Sequence, residues 1–260
     1  MKFSRKSLGI PYAIFLAVFV VAPLLVLIGY AFTDAEGHVT AANLVAFFTN
    51  PNTLGTLFYS LLIAVVTTMV CLLIAYPVSY ILAMGNVRRK TVLLMAFVMP
   101  MWINFSLRIT ALKEILTLIE GNLARYPFLN AVIGMTFDFL PFMILPIYNS
   151  LARLDPALRE AASDLGADAR SAFLQVTLPL SVPGIMSGVA MVFLPAMTNY
   201  VVLDMLYNST YIMGSLIGSY FAAYDWHGGS MIALVLLAII CIFTIATGTE
   251  EDEGRGGALL

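Results

Sequence analysis

The sequence predicts an all-α membrane protein with six transmembrane helices, and two observations carry that prediction. Of the 260 residues, 61% are hydrophobic and only 11% are charged, against about 25% charged in a soluble domain, which must solvate its whole surface. Several apolar runs also reach the roughly 20 residues that an α-helix needs to cross ~30 Å of hydrocarbon, where backbone polar groups must be satisfied within their own segment. The ~10-residue alternating segments of a lipid-facing β-barrel are not evident.

In chain order the spans are expected at residues 9–32, 55–84, 91–109, 127–151, 180–203 and 230–248. The first follows Lys2, Arg5 and Lys6 and is longer than the apolar core of a signal peptide, so it reads as a retained span. Pro100 and Asn104 interrupt the third, with Arg108, Lys113 and Glu114 close behind, which predicts a kink or break near its outer end. "YIMGSLIGSYFAAYDWHGG", before the last span, is amphipathic and too polar to cross; it suits a short interfacial helix or a gate element dipping inward. Residues 1–248 are thus read as one transmembrane domain, and 249–260 as an acidic, disordered tail.

Lys and Arg collect on alternate loops. One set holds Lys2, Arg5, Lys6, Arg88, Arg89, Lys90, Arg153, Arg159, Arg170 and Arg255, while the other holds Arg108, Lys113 and Arg125. Cytoplasmic loops retain positive charge, so both termini and the loop at 153–179 are expected in the cytoplasm. The net charge of −2 argues against a nucleic-acid partner, which requires a clustered basic face. His38 and His227 stand in separate loops without nearby cysteines, and Cys71 and Cys241 fall within spans, so no metal site is expected.

The 153–179 loop is the most informative stretch. Asp155-Pro156 starts a helix, since the carboxylate caps free N–H groups and proline at the first position loses no hydrogen bond. Gly166 ends it, Asp168 caps a second helix through Val176, and Pro179 opens the fifth span. Leu158, Ala161, Ala162 and Leu165 make an apolar, small-residue stripe on the first helix. Two readings follow: the stripe docks in a groove of another protein, or it folds back on its own bundle.

"EAASDLGADARSAFLQVTLP" resembles the signature loop of binding-protein-dependent ABC importer permeases, which runs Glu-Ala-Ala, three residues, Gly, nine residues, Ile, one residue, Leu-Pro. Glu160, Ala161, Ala162, Gly166, Leu178 and Pro179 match it, and Val176 stands where Ile is usual. The resemblance implies the type I importer permease fold, with this loop as the coupling helix seated in a cytoplasmic ATPase subunit. It also implies a dimer of ATPases carrying ATP and Mg, a sister permease and an extracytoplasmic binding protein as partners, in a bacterial inner membrane. "LPFMILPIYNSLARLDPALREAASDLGA", "LPLSVPGI", "MVFLPAM" and "YDW" resemble more narrowly the first permease subunit of polyamine (spermidine/putrescine) importers. The outer stretch from Gly121 to Pro127 is shorter than in that group.

No Gly-x4-Gly-Lys-Ser/Thr loop exists, and none of the four lysines follows a glycine, so this chain has no such device for ATP. A non-catalytic transport subunit binding no cofactor of its own is expected. For a multivalent cation, acidic and aromatic groups on the pathway are the candidates. Asp138 lies eleven residues into the fourth span, roughly 16 Å deep at ~1.5 Å per residue, where it either meets the substrate or forms a structural pair with Arg108 or a protonated carboxyl. Asp204 suits the outer mouth or a solvated helix end. Trp102, Tyr200, Tyr207 and Trp226 offer cation-π contacts or belong to interfacial aromatic belts. A secondary transporter would leave the signature loop unexplained, and an intramembrane enzyme would need a nucleophile and base that the spans lack.

Overall fold

The computed structural model describes residues 9–206 and 212–253, with backbone only for Gly9 and residues 248–253. In chain order the helices are α1 (Ile10–Ala31), α2 (Ala42–Thr49), α3 (Pro51–Met84), α4 (Lys90–Trp102) and α5 (Phe105–Glu120). They continue with α6 (Pro127–Ala152), α7 (Pro156–Asp164), α8 (Ala169–Thr198), α9 (Tyr200–Leu206), α10 (Met213–Ala222) and α11 (Trp226–Glu253). Five of these are long and apolar enough to cross a membrane, and α4 with α5 makes a sixth if the bent pair counts as one span. The only strand-like pairing among the described residues is an isolated bridge between Thr33 and Val39.

Several boundaries differ from the expected ones, for local reasons. α3 begins at Pro51 rather than 55 because Asn50 accepts the N–H of Asn52 at 3.0 Å, an Asn-Pro start of the same kind as Asp155-Pro156. α11 begins at Trp226 because Asp225 Oδ1 accepts the N–H of Gly228 at 2.9 Å, and it continues through Glu253. The fifth span starts at Ala169, not 180, and ends at Thr198, with Asn199 separating it from α9.

The second corner helix is therefore the first turns of α8. A π turn at Phe173–Thr177, in which Leu178 N–H reaches back to Phe173 O, carries the helix past Pro179. Proline cannot donate to the carbonyl four residues back and its ring crowds that group; a wider turn just before it relieves both conflicts. α1 uses the same device, with a π turn at Ala17–Val21 ahead of Pro23.

The third span breaks where its proline and asparagine predict. α4 ends in a 3₁₀ turn at Met99–Trp102, Ile103 is extended, and Asn104 caps α5 by accepting Ser106 N–H at 2.9 Å. The two helices meet at 99°.

The chain divides into two units, Met1–Leu57 with Met213–Ile240 and Phe58–Ile212 with Cys241–Leu260. In the first, Asn43 Nδ2 donates to Ala31 O and Thr33 O at 3.0 Å each, and His227 Nδ1 lies 3.0 Å from Tyr30 O. The second has its core along α6, where Ala131, Met135, Met143, Ile144, Ile147 and Leu151 are fully buried.

α6 and α8 approach closely because Gly184 and Gly188, four residues apart, present no side chain there. A Cβ on Gly184 would strike Ser150 Cβ and come within 2.8 Å of Pro146 O, and one on Gly188 would come within 2.7 Å of Met143 Sδ. Small residues at this spacing let helix backbones meet in lipid. Hydrogen bonds from Ser79 Oγ to Ile144 O (3.0 Å) and between Tyr76 Oη and Ser181 Oγ (3.0 Å) join α3 to the same pair. Gly184→Leu is expected to cost about 1–3 kcal/mol, since the carbonyl it meets belongs to backbone and cannot yield; thermal unfolding of the purified complex checks this.

Candidate functional site

The loop between α6 and α8 forms a rigid corner. Asp155 is extended and accepts the N–H of Ala157 at 2.9 Å, with Pro156 at the first helical position. At the other end Gly166 has φ +86°, its N–H donates to Ser163 O at 2.9 Å, and Ala167 N–H donates to Ala162 O at 3.0 Å. Those two bonds around a left-handed glycine are a Schellman closure. Asp168 then accepts Ser171 N–H at 3.0 Å and starts α8. Hydrogen bonding from Ser171, side chain first and backbone second, holds the Asp168 carboxyl below its ordinary range.

No residue of α7 is buried. Leu158 is 45% exposed and Leu165 89% exposed, so the apolar stripe is not folded onto the chain's own helices. Exposed Glu160 and Ala161 and half-buried Ala162 surround it. Beyond the corner, Leu178 is half-buried and Pro179 exposed. Phe173, in the π turn, lies edge-on to Tyr76 and Tyr80 of α3, with ring centroids 5.9 and 5.4 Å apart. Packed rings thus join the first turns of α8 to α3. Sequence reasoning missed Phe173, whose partners lie on a distant helix, and it missed the Gly184-x3-Gly188 spacing, which was readable.

The pathway candidates are distributed unevenly. Asp138 is tied to Arg108 of α5: its Oδ1 accepts from Nη2 at 2.6 Å, with side chains only 6% and 9% exposed respectively. Tyr200 and Asp204 occupy i and i+4 of α9 and both are exposed, whereas Val202, Leu203 and Leu206 are buried. The carboxylate and the aromatic ring thus share one face. Trp102 stands 78% exposed at the α4–α5 break. Trp226, in the first unit, opens α11 and lies against Phe221 with centroids 5.5 Å apart. Tyr207 lies outside the described residues. No cluster of three or more His, Cys, Asp or Glu side chains suited to a metal occurs among the described residues.

Residues 8–248 match the family described as the binding-protein-dependent transport system inner membrane component. The chain belongs to this family. It is 31% identical over 263 residues to the spermidine/putrescine transport system permease protein PotB of Haemophilus influenzae, covering 93% of this chain and 91% of that one. The PotB of Escherichia coli K12 is 31% identical over 247 residues, 86% of this chain and 90% of its own. The inner membrane ABC transporter permease protein YdcU of the same organism is 28% identical over 220 residues, or 73% and 70%. Among solved structures, a bacterial ABC transporter involved in import of the acidic polysaccharide alginate superposes with a TM-score of 0.67 at 18% identity, over 93% of this chain and 94% of that one. That likeness gives the fold, an ABC importer permease. As an inner-membrane permease of a binding-protein-dependent system, the protein is multi-pass, and the family works in general with an ATPase, a second permease and a binding protein.

Proposed function

We propose that this permease forms half of the transmembrane pathway of an ATP-driven polyamine importer, with α7 as the helix through which the ATPase moves it. The observation that carries the substrate class is the similarity to two spermidine/putrescine permeases across nearly the whole chain. The coupling role rests on the corner: its exposed Leu158 and Leu165 suit a groove in a partner, and its ends are fixed by two caps and a left-handed glycine. Glu160, Ala161, Ala162 and Gly166 would meet the ATPase, while Leu178 and Pro179 join the corner to α8.

ATP and Mg belong to the partner ATPase dimer, because this sequence has no phosphate-cradling glycine loop. Closure of that dimer pushes α7, and the push tilts α8 directly and α3 through Phe173. Both termini and the corner lie in the cytoplasm, in accord with the loop distribution of Lys and Arg. Substrate released by the binding protein enters at the outer end, where Asp204 and Tyr200 offer charge and a π face to an ammonium group. Trp102, Tyr207 and Trp226 are the further aromatic candidates, and Asp138 is the acidic group in the depth of the membrane.

The test is reconstitution of the complete complex in vesicles, with binding protein on one side and ATP on the other. Uptake of radiolabelled spermidine should require ATP and be competed by putrescine but not by a neutral sugar. ATP-dependent uptake of a neutral solute with no effect of polyamines would reject the substrate class while leaving the importer reading intact.

A further inference from the structure

The buried pair of α5 and α6 is put together unlike a purely structural one. A guanidinium frequently grips a carboxylate with two parallel N–H bonds. Arg108 makes a single hydrogen bond to Asp138, from Nη2, while its Nε and Nη1 are buried with no hydrogen-bond partner among the described residues. Buried donors left unmade are costly. Asp138 thus receives one N–H contact from a guanidinium that still has two donors to place.

The mounting of Arg108 is equally unusual. It sits in the first turn of α5, four residues past Asn104, just beyond the 99° break. Ile103 is extended and lies outside both helices, so α5 with its Asn104 cap can pivot there without losing a hydrogen bond of its own. Asp138 is fixed in the middle of α6 among buried neighbours. One member of the pair is anchored, and the other rides on an arm.

We propose that Asp138 is a cation-binding site occupied in this state by Arg108 as a tethered stand-in, and that an ammonium group of the transported polyamine displaces it during passage. The inference rests on the polyamine reading of the preceding subsection. An ammonium donates single N–H bonds, the contact Asp138 now receives. Exchanging one cation for another keeps the carboxylate neutralised throughout, and the displaced guanidinium swings with α5 toward water, since neither charge can be left bare in the membrane. The arm therefore opens for a cationic substrate and stays closed to neutral solutes and water.

The experiment uses the complete complex in vesicles. The double variant Arg108→Gln with Asp138→Asn removes both charges while keeping a polar side chain at each position, and co-purification with its partners verifies assembly. Removing both charges together leaves neither one buried and unpaired, so an assembled double variant importing spermidine within about twofold of the wild-type rate would overturn the proposal. Loss of about tenfold or more in spermidine uptake by the assembled variant is the expected result. If that double variant does not assemble, the apolar double variant Arg108→Met with Asp138→Leu, which likewise leaves neither charge unpaired, is read in the same uptake assay with the same two outcomes. A wild-type complex that takes up no spermidine refutes the substrate class, and this inference with it, before any variant is made.

Discussion

Replacement of Gly166 by valine is expected to leave the permease inserted and assembled but to cut ATP-dependent uptake by at least about tenfold, while ATP hydrolysis continues. Gly166 stands at φ +86° with nothing within 4 Å of where a Cβ would be, so the effect comes from backbone strain rather than from a clash. A left-handed conformation costs an ordinary L-residue on the order of 1–2 kcal/mol, more when the side chain is β-branched. The chain escapes that cost by opening the Schellman closure, and α7 then loses its fixed angle to α8. A lever with a loose joint moves without pulling. Parallel measurement of uptake and ATP hydrolysis in vesicles checks this; coupled transport at the wild-type ratio would remove the coupling role from the corner.

Removal of one member of the Arg108–Asp138 pair should produce the largest loss of stability. Asp138→Leu leaves the guanidinium buried with no anion, and breaking a buried pair in this way costs about 3–5 kcal/mol. For a chain of this size that corresponds to a fall in unfolding midpoint on the order of 10 °C. Arg108→Met exposes the opposite charge to the same penalty. The two together should cost far less than their sum, because neither charge then remains to be solvated. Thermal unfolding of the four purified complexes checks the cycle, and additive losses would show that the contact contributes nothing of its own. The cycle measures stability alone, and the uptake experiment above separates a structural pair from a site.

Most elements could be read along the chain because the signals that begin and end them are short-range. Asp155-Pro156, Gly166 and Asp168 each act on N–H or C=O groups within about a turn of themselves, and all three serve in the structure as their residue types require. Misplaced boundaries came from signals of the same kind passed over, at Asn50-Pro51 and Asp225. Pro179 misled for a different reason. A proline is a helix breaker only where the preceding turn cannot widen, and the π turn at Phe173–Thr177 does widen.

Within the candidate site the division is similar. The stripe of α7 follows from the 3.6-residue period of the α-helix. The clamp of Tyr76 and Tyr80 on Phe173 joins residues more than ninety positions apart and has no local signature.

The sequence alone determined the six apolar runs, the break after Pro100 and the capped corner that carries the family signature, because each depends on composition or on bonds made within a few residues. It also marked Asp138 as a charge at membrane depth. Which cation it meets was decided by the tertiary structure: the 99° turn at Ile103 and Asn104 brings Arg108 back beside α6. A packed contact between helices is set by the angles at which they cross and bend, and no local hydrogen bond encodes those angles.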